Sequence, residues 1–172
     1  KRIEVISYWC NNEFWKPVDK KSSQIKLGLD PNNFYVGSFQ RDTEGFDLKT
    51  PKLEKGPDLF CDFLIENNHK LCDNKKLHVL LGGWRRQYVE NRLKEANINY
   101  TLFEKADLDT VKLLYGSCDL YVVSSRYEGG PQAIIEAAAM NIPIISTDVG
   151  IATNILSKDC VVNISKDFYL PN

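Results

Sequence analysis

Ser124-Ser125-Arg126-Tyr127-Glu128-Gly129-Gly130-Pro131-Gln132-Ala133-Ile134-Ile135-Glu136-Ala137-Ala138-Ala139 follows directly on the apolar run Leu120-Tyr121-Val122-Val123. The run reads as a buried strand, and Pro131 sits where the first turn of a helix favours proline. The whole segment is therefore a strand, a Gly-Gly turn and a helix. Unpaired N–H groups at a helix start, with their partial positive charge, make a seat for an anion. Glycine at 129 and 130 lets a phosphate approach the main chain with no Cβ in the way. Glu128 and Glu136 bracket the turn, and Glu136 lies within the helix on the face that carries Gln132. Carboxylates accept hydrogen bonds from hydroxyls. A phosphate seat flanked by two such acceptors points to a sugar nucleotide.

Working outward, apolar runs alternate with helical stretches. Strands are expected at Phe34–Phe39, Leu77–Leu81, Ile98–Phe103, Leu120–Val123, Ile142–Ser146 and Val161–Ile164. Helices are expected at Pro57–Asn67, Arg85–Ala96, Asp109–Ser117, from Pro131, and at Ile151–Ser157. Strands separated by helices of about three turns imply right-handed βαβ units and a parallel sheet covered on both faces. The fold class is α/β, a doubly wound parallel sheet of Rossmann-like type. Such sheets bind ligands beyond the carboxyl ends of their strands, where the strand order reverses. That rule selects the loops 40–55, 82–86, 104–107, 124–130 and 147–150. Residues 1–33 read as a linker before a domain at 34–172. Within them Ile3–Ser7 is a strand candidate, Asn11–Pro17 an extended loop and Ser22–Leu29 a surface helix ending at Gly28.

A chain of 172 residues can bury the core of one domain. Its formal net charge of −1 argues against a nucleic-acid-coating surface. No apolar run approaches the roughly 20 residues of a membrane span, and the opening Lys1-Arg2-Ile3-Glu4, polar again by Asn11, does not read as a signal peptide. The five cysteines are odd in number and contain no Cys-x-x-Cys pair. They argue against a zinc site or a disulfide framework and for a reducing, cytoplasmic compartment. Ser124 and Ser125 have no histidine near them in sequence, since His69 and His78 fall at a helix end and in a strand, so a Ser-His hydrolase does not fit.

The Glu-x7-Glu element with its Gly-Gly-Pro turn and Ala137–Ala139 run resembles the signature of retaining GT-B glycosyltransferases of family 4, the glycosyl transferases group 1. The following Asn141-Ile142-Pro143-Ile144-Ile145-Ser146-Thr147-Asp148-Val149-Gly150 is similar to another element of that family, with Asn141 where glycine is usual. The resemblance covers about residues 34–156 and implies the C-terminal, donor-binding half of a GT-B fold. It implies transfer of a sugar from a nucleoside diphosphate sugar to an acceptor hydroxyl, with no cofactor and no metal. Arg41 and Lys55 would hold the diphosphate, although the interval from Asp42 to Glu54 is longer than usual. Glu128 would face the transferred sugar, the backbone at Gly129 and Gly130 the phosphates, and Glu136, with Gln132 beside it, the ribose. Main-chain groups at Glu104 and Lys105 would grip the base, with Glu104 where glycine is expected. The Gly82-Gly83 turn would lie near the diphosphate, and Trp84 reads as a surface cap on the core or as a contact to the nucleotide. The acceptor, a glycan, lipid-linked or other hydroxyl compound, would be held by a separate N-terminal domain, leaving this domain inactive alone. Two other readings stay open on sequence: a non-catalytic nucleotide-sugar-binding module, and half of a GT-B sugar-nucleotide epimerase.

Overall fold

The computed structural model describes residues 3–4, 6–72 and 74–162. Eight strands and six helices follow one another as β1 (Asn33–Phe39), β2 (Thr43–Glu44), β3 (Thr50–Pro51), β4 (Lys76–Gly82), β5 (Asn99–Phe103), β6 (Leu120–Val123), β7 (Ile144–Thr147) and β8 (Val161–Val162), with α1 (Lys20–Lys26), α2 (Pro57–Leu71), α3 (Gln87–Glu95), α4 (Leu108–Ser117), α5 (Gln132–Ala139) and α6 (Ala152–Ile155) between them. Six strands form one sheet in the order β5-β4-β1-β6-β7-β8, and every pairing in it is parallel. Strands β2 and β3 form a separate antiparallel hairpin. Counted along the chain without the hairpin, the sheet order is 3-2-1-4-5-6, which reverses between β1 and β6.

The strands read as continuous apolar runs because both faces are covered. Val36, Val79, Leu81, Leu120 and Val122 pack under α2 and α3, against Phe60, Phe63, Leu64, Val89 and Leu93. Their neighbours point the other way, as a strand's period of two requires. Tyr121 and Val123 meet Tyr115, Ile134 and Ala137 of α4 and α5, while Tyr35 and Leu80 meet Leu114. Cys10, Cys61, Cys118 and Cys160 form no disulfide, and no helix among the described residues is long and apolar enough to cross a membrane.

The structure departs from the sequence expectation at identifiable points. Trp15 is buried beside Tyr115 and α1 packs on α4, so residues 15–29, expected within a linker, belong to the packed domain. Ile3, Glu4, Ile6 and Ser7 form no strand; Val5 and residues 163–164, also expected in strands, lie outside the described residues. Strand β7 starts at Ile144 rather than Ile142, because Ile142 N–H closes the end of α5 on Ala137 O and Pro143 has no N–H for a ladder. Helix α3 starts two residues late because Arg85 takes a left-handed conformation (φ 55°). Pro131 is the extended residue before α5 rather than its first turn.

Candidate functional site

Strands β1 and β6 part at their carboxyl ends, where the strand order reverses. A cavity of about 220 Å³ opens there, lined by Gln40, Lys55, Glu128 and the Gly130–Ala133 segment. Helix α5 begins in this wall and no side chain caps its start. Its first amides therefore remain available donors beside a lysine. Lys55 Nζ pairs with Glu128 Oε1, which also accepts from Ser125 Oγ at 3.2 Å. Lys55, the lysine of this wall, is thus paired with the first glutamate of the motif.

Close backbone packing fixes this arrangement. Lys55 ends a tight helical turn (Leu53–Lys55), and its carbonyl accepts from Gln40 Nε2 at 3.0 Å and Ser124 Oγ at 3.2 Å. Gly56 follows in a left-handed conformation (φ 58°), and a Cβ there would overlap the carbonyl of Ser124. Gly150 (φ 52°) lies on the Gly129-Gly130 turn, where a Cβ would come 2.8 Å from Gly130 Cα. The Glu128 loop is further tied by Arg126 N–H to Glu54 O at 2.8 Å, by Thr147 Oγ1 to Ser125 O at 2.5 Å, and by the Arg126 fork on Asp58 at 2.7 and 2.6 Å.

The neighbouring helix start is treated differently. Thr43 Oγ1 accepts from Tyr88 N–H at 2.9 Å, and the Asp42 carboxylate accepts from the Val89 amide and the Thr43 hydroxyl. The loop after β1 thus caps α3 with its own anion. Asp42 also pairs with Arg86, both fully buried, and Arg86 Nη1 donates to the carbonyls of Ser38 (2.6 Å) and Gly82 (2.8 Å). Burial pushes the Asp42 carboxyl up; Arg86, the Thr43 hydroxyl and the Val89 amide pull it back. Of these two helix starts, α5 alone is free to receive an external anion.

The expected site residues divide accordingly. Lys55, Glu128, Gly130 and Gln132 line the cavity together. Gly129 is open, with nothing within 4 Å of a Cβ placed there, whereas Gly130 lies under the Tyr8 ring. Arg41 does not line the cavity: its Nε donates to Thr43 O at 3.2 Å and its guanidinium stacks 5.3 Å from the Trp84 ring, which Arg85 also approaches. Gln40 is the side chain of that loop that reaches Lys55. Trp84 is about half exposed, so it covers little core. Glu104 and Lys105 sit exposed in the turn after β5. Glu136 is half-buried behind the cavity, its Oε2 accepting from Tyr115 Oη at 3.0 Å; burial pushes its carboxyl up and the tyrosine pulls it down. Gln40, Asp42 and Arg86 fall in loops that the strand-end rule selects, with no role read for their side chains; Tyr115 lies outside those loops. Among the described residues no three His, Cys, Asp or Glu side chains converge as metal ligands would.

Two other depressions differ in chemistry. A groove of about 480 Å³ lies on the far side of Glu128, lined by Tyr127, Asp148 and Gly150, so Glu128 is a wall shared by both spaces. A cavity of about 510 Å³ lies at the opposite end of the sheet beside Lys75, Lys76, Asn97 and Asn99. It is at the amino ends of β4 and β5, away from the reversal of strand order.

The sequence pattern of the family described as Glycosyl transferases group 1 matches residues 52–167, which include Lys55 and the whole Glu128–Glu136 element. The chain belongs to this family. It is 29% identical over 141 residues to the lipopolysaccharide core biosynthesis mannosyltransferase LpsB of Rhizobium meliloti (strain 1021), over 80% of this chain and 38% of that protein. The chain thus spans well under half the length of this relative. Among solved structures it resembles Anabaena Alr3699/HepE, determined in complex with UDP-glucose, with TM-score 0.71, 19% identity, and coverage of 93% of this chain and 43% of that one. It also resembles the C-terminal domain of the glycosyl transferase group 1 family protein LpcC from Francisella tularensis, with TM-score 0.66, 21% identity, and coverage of 90% and 80%. The fold is an α/β Rossmann-like fold that matches GT-B glycosyltransferase structures.

Proposed function

We propose that this group 1 domain binds the nucleoside diphosphate sugar of a retaining glycosyl transfer, with the diphosphate at the start of α5. The Lys55–Glu128 pair beside that uncapped helix, in the cavity between β1 and β6, carries the reading. The HepE structures, whose ligands are UDP and UDP-glucose, support it through their shared fold.

On binding, Lys55 exchanges Glu128 for phosphate, and Glu128 is released to accept from hydroxyls of the transferred sugar. The α5 amides and Lys55 are fixed where charge develops on the leaving diphosphate, so they stabilise the transition state more than the ground state. This positive charge is the basis for proposing transfer without a metal. Gln40 stands beside Lys55 at the diphosphate, while Arg41, Trp84 and Arg85 form its outer rim. Glu136 receives the ribose hydroxyls, and the main chain at Glu104 and Lys105 borders the base. The acceptor hydroxyl comes from a second domain, as in a two-domain enzyme, and the domain alone binds donor without turnover. The odd number of cysteines, with no Cys-x-x-Cys pair among them, suits a reducing compartment.

Lys55→Ala tests the assignment. A hydrogen bond to a charged group is worth about 1.5–3 kcal/mol, so affinity for UDP, GDP or ADP, whichever binds, should fall about ten- to a hundredfold. The matching nucleoside should lose less than about twofold, since its binding involves no phosphate contact. Isothermal titration of both ligands with both proteins decides it. Equal losses for diphosphate and nucleoside would assign Lys55 to the scaffold instead.

A further inference from the structure

Glu136 is joined to the end of β1 by two buried tyrosines. Tyr115 Oη donates to Glu136 Oε2 at 3.0 Å, the Tyr115 and Tyr121 rings pack with centroids 5.0 Å apart, and Tyr121 Oη accepts from Phe39 N–H at 3.1 Å. A carboxylate can only accept, so the Tyr115 hydroxyl donates its one proton to Glu136. This bond holds the carboxylate in place. It also favours the carboxylate over the carboxylic acid, because a charge-assisted bond is the stronger one.

The surroundings leave this task to Tyr115. Burial alone pushes the Glu136 carboxyl up, and the Tyr115 hydrogen bond is what lowers it. Cys10, from the segment before α1, is near enough to Glu136 that burial and that carboxylate push its thiol up. Tyr115 is clamped edge-on by Trp15 at 5.6 Å and Phe39 at 4.9 Å, so its hydroxyl has one address. Phe39 is the last residue of β1, immediately before Gln40.

We propose that Tyr115 is a positioning residue that holds the Glu136 carboxylate aimed at the ribose, and that Tyr121, packed against Tyr115, ties this setting to the β1 end of the cavity. The inference rests on the ribose role given to Glu136 above. Removing the Tyr115 hydroxyl leaves burial unopposed, so Glu136 would hold its proton to higher pH. A protonated carboxyl accepts more weakly from hydroxyls, so nucleotide affinity would be lost at higher pH as the solution is acidified.

The test is carboxyl-detected NMR titration of Glu136 in the wild-type chain, Tyr115→Phe and Tyr121→Phe, alongside UDP affinity across the same pH range. Thermal melts confirm that each variant is folded. For Tyr115→Phe the Glu136 midpoint should rise, the direction expected when a hydrogen bond to the charged form is lost. UDP affinity should fall about two- to tenfold at neutral pH, the range of one hydrogen bond, with the gap widening toward acid. Tyr121→Phe, which leaves the Tyr115–Glu136 bond in place, should move the midpoint less. In a Glu136→Gln background Tyr115→Phe should add no pH dependence. An unchanged Glu136 midpoint, or an equal shift from both tyrosine variants, would overturn the positioning role. If the midpoint moves as expected but wild-type protein binds neither UDP nor GDP nor ADP, the positioning of Glu136 stands and the nucleotide reading falls.

Discussion

Arg86→Met should lower folding stability by about 3–5 kcal/mol, the cost of stranding one member of a buried ion pair. Arg86 and Asp42 have no exposed side-chain surface, and the guanidinium also satisfies two carbonyls, at the ends of β1 and β4. Methionine fills much of the volume but leaves Asp42 in an apolar setting with only the Val89 amide and Thr43 hydroxyl. Asp42 then takes up a proton or draws in water, and the hairpin β2–β3, which follows it, loses its anchor on α3. Asp42→Asn in the same protein should recover part of the loss, because the stranded charge is gone. Urea denaturation of the two single variants and the double variant measures this coupling. A loss below about 1 kcal/mol for Arg86→Met would mean that the pair is no more than a surface salt bridge in effect.

The second large effect is expected at Gly56. Alanine in its left-handed conformation costs about 1–2 kcal/mol, and forcing a Cβ against the Ser124 carbonyl adds about 1–3 kcal/mol of displacement. The site is affected along with the fold. Gly56 joins Lys55 to α2, and Ser124 opens the Glu128 loop, so pushing the two apart separates Lys55 from Glu128. Gly56→Ala should therefore weaken nucleoside diphosphate binding more than about tenfold, since a displacement near 1 Å at a positioned group has effects of that order or larger. Gly129→Ala is the comparison, because a Cβ there meets nothing within 4 Å; it should cost little stability. Similar melting temperatures for the two variants would contradict the packing argument.

Much of this was legible because it is local. The β6–α5 segment carries a strand period, a Gly-Gly turn and a proline within one stretch, and each signal has its own physical cause. Lys55-Gly56 before a proline-led helix was readable for the same reason. Arg41 turns toward Trp84 while Gln40 reaches Lys55; successive side chains at a strand end point to opposite sides, and composition does not say which of the two faces the cavity. The α3 start was missed because left-handed Arg85 breaks the helical pattern that sequence alone suggests. The hairpin hid inside what read as an insertion; its turn uses left-handed Gly45 and Leu48, with Asp47 bonding the Lys49 and Thr50 amides. Asp42 with Arg86, and Tyr115 with Glu136, are side-chain pairs made by tertiary packing across separate βα units. No spacing rule announces such pairs, although the burial of a charged residue among apolar neighbours always demands a partner.

The central claim is that a nucleoside diphosphate binds at the carboxyl ends of β1 and β6, with its phosphates at the start of α5. Amide NMR of the isotope-labelled domain, titrated in turn with UDP, GDP and ADP, reads this position directly. The account predicts saturable shifts that are largest at Gln40, Lys55, Gly129, Gly130, Gln132, Ala133 and Glu136. Shifts gathered instead around Lys75, Lys76, Asn97 and Asn99 at the opposite end of the sheet, or no saturable shifts with any of the three, would contradict it.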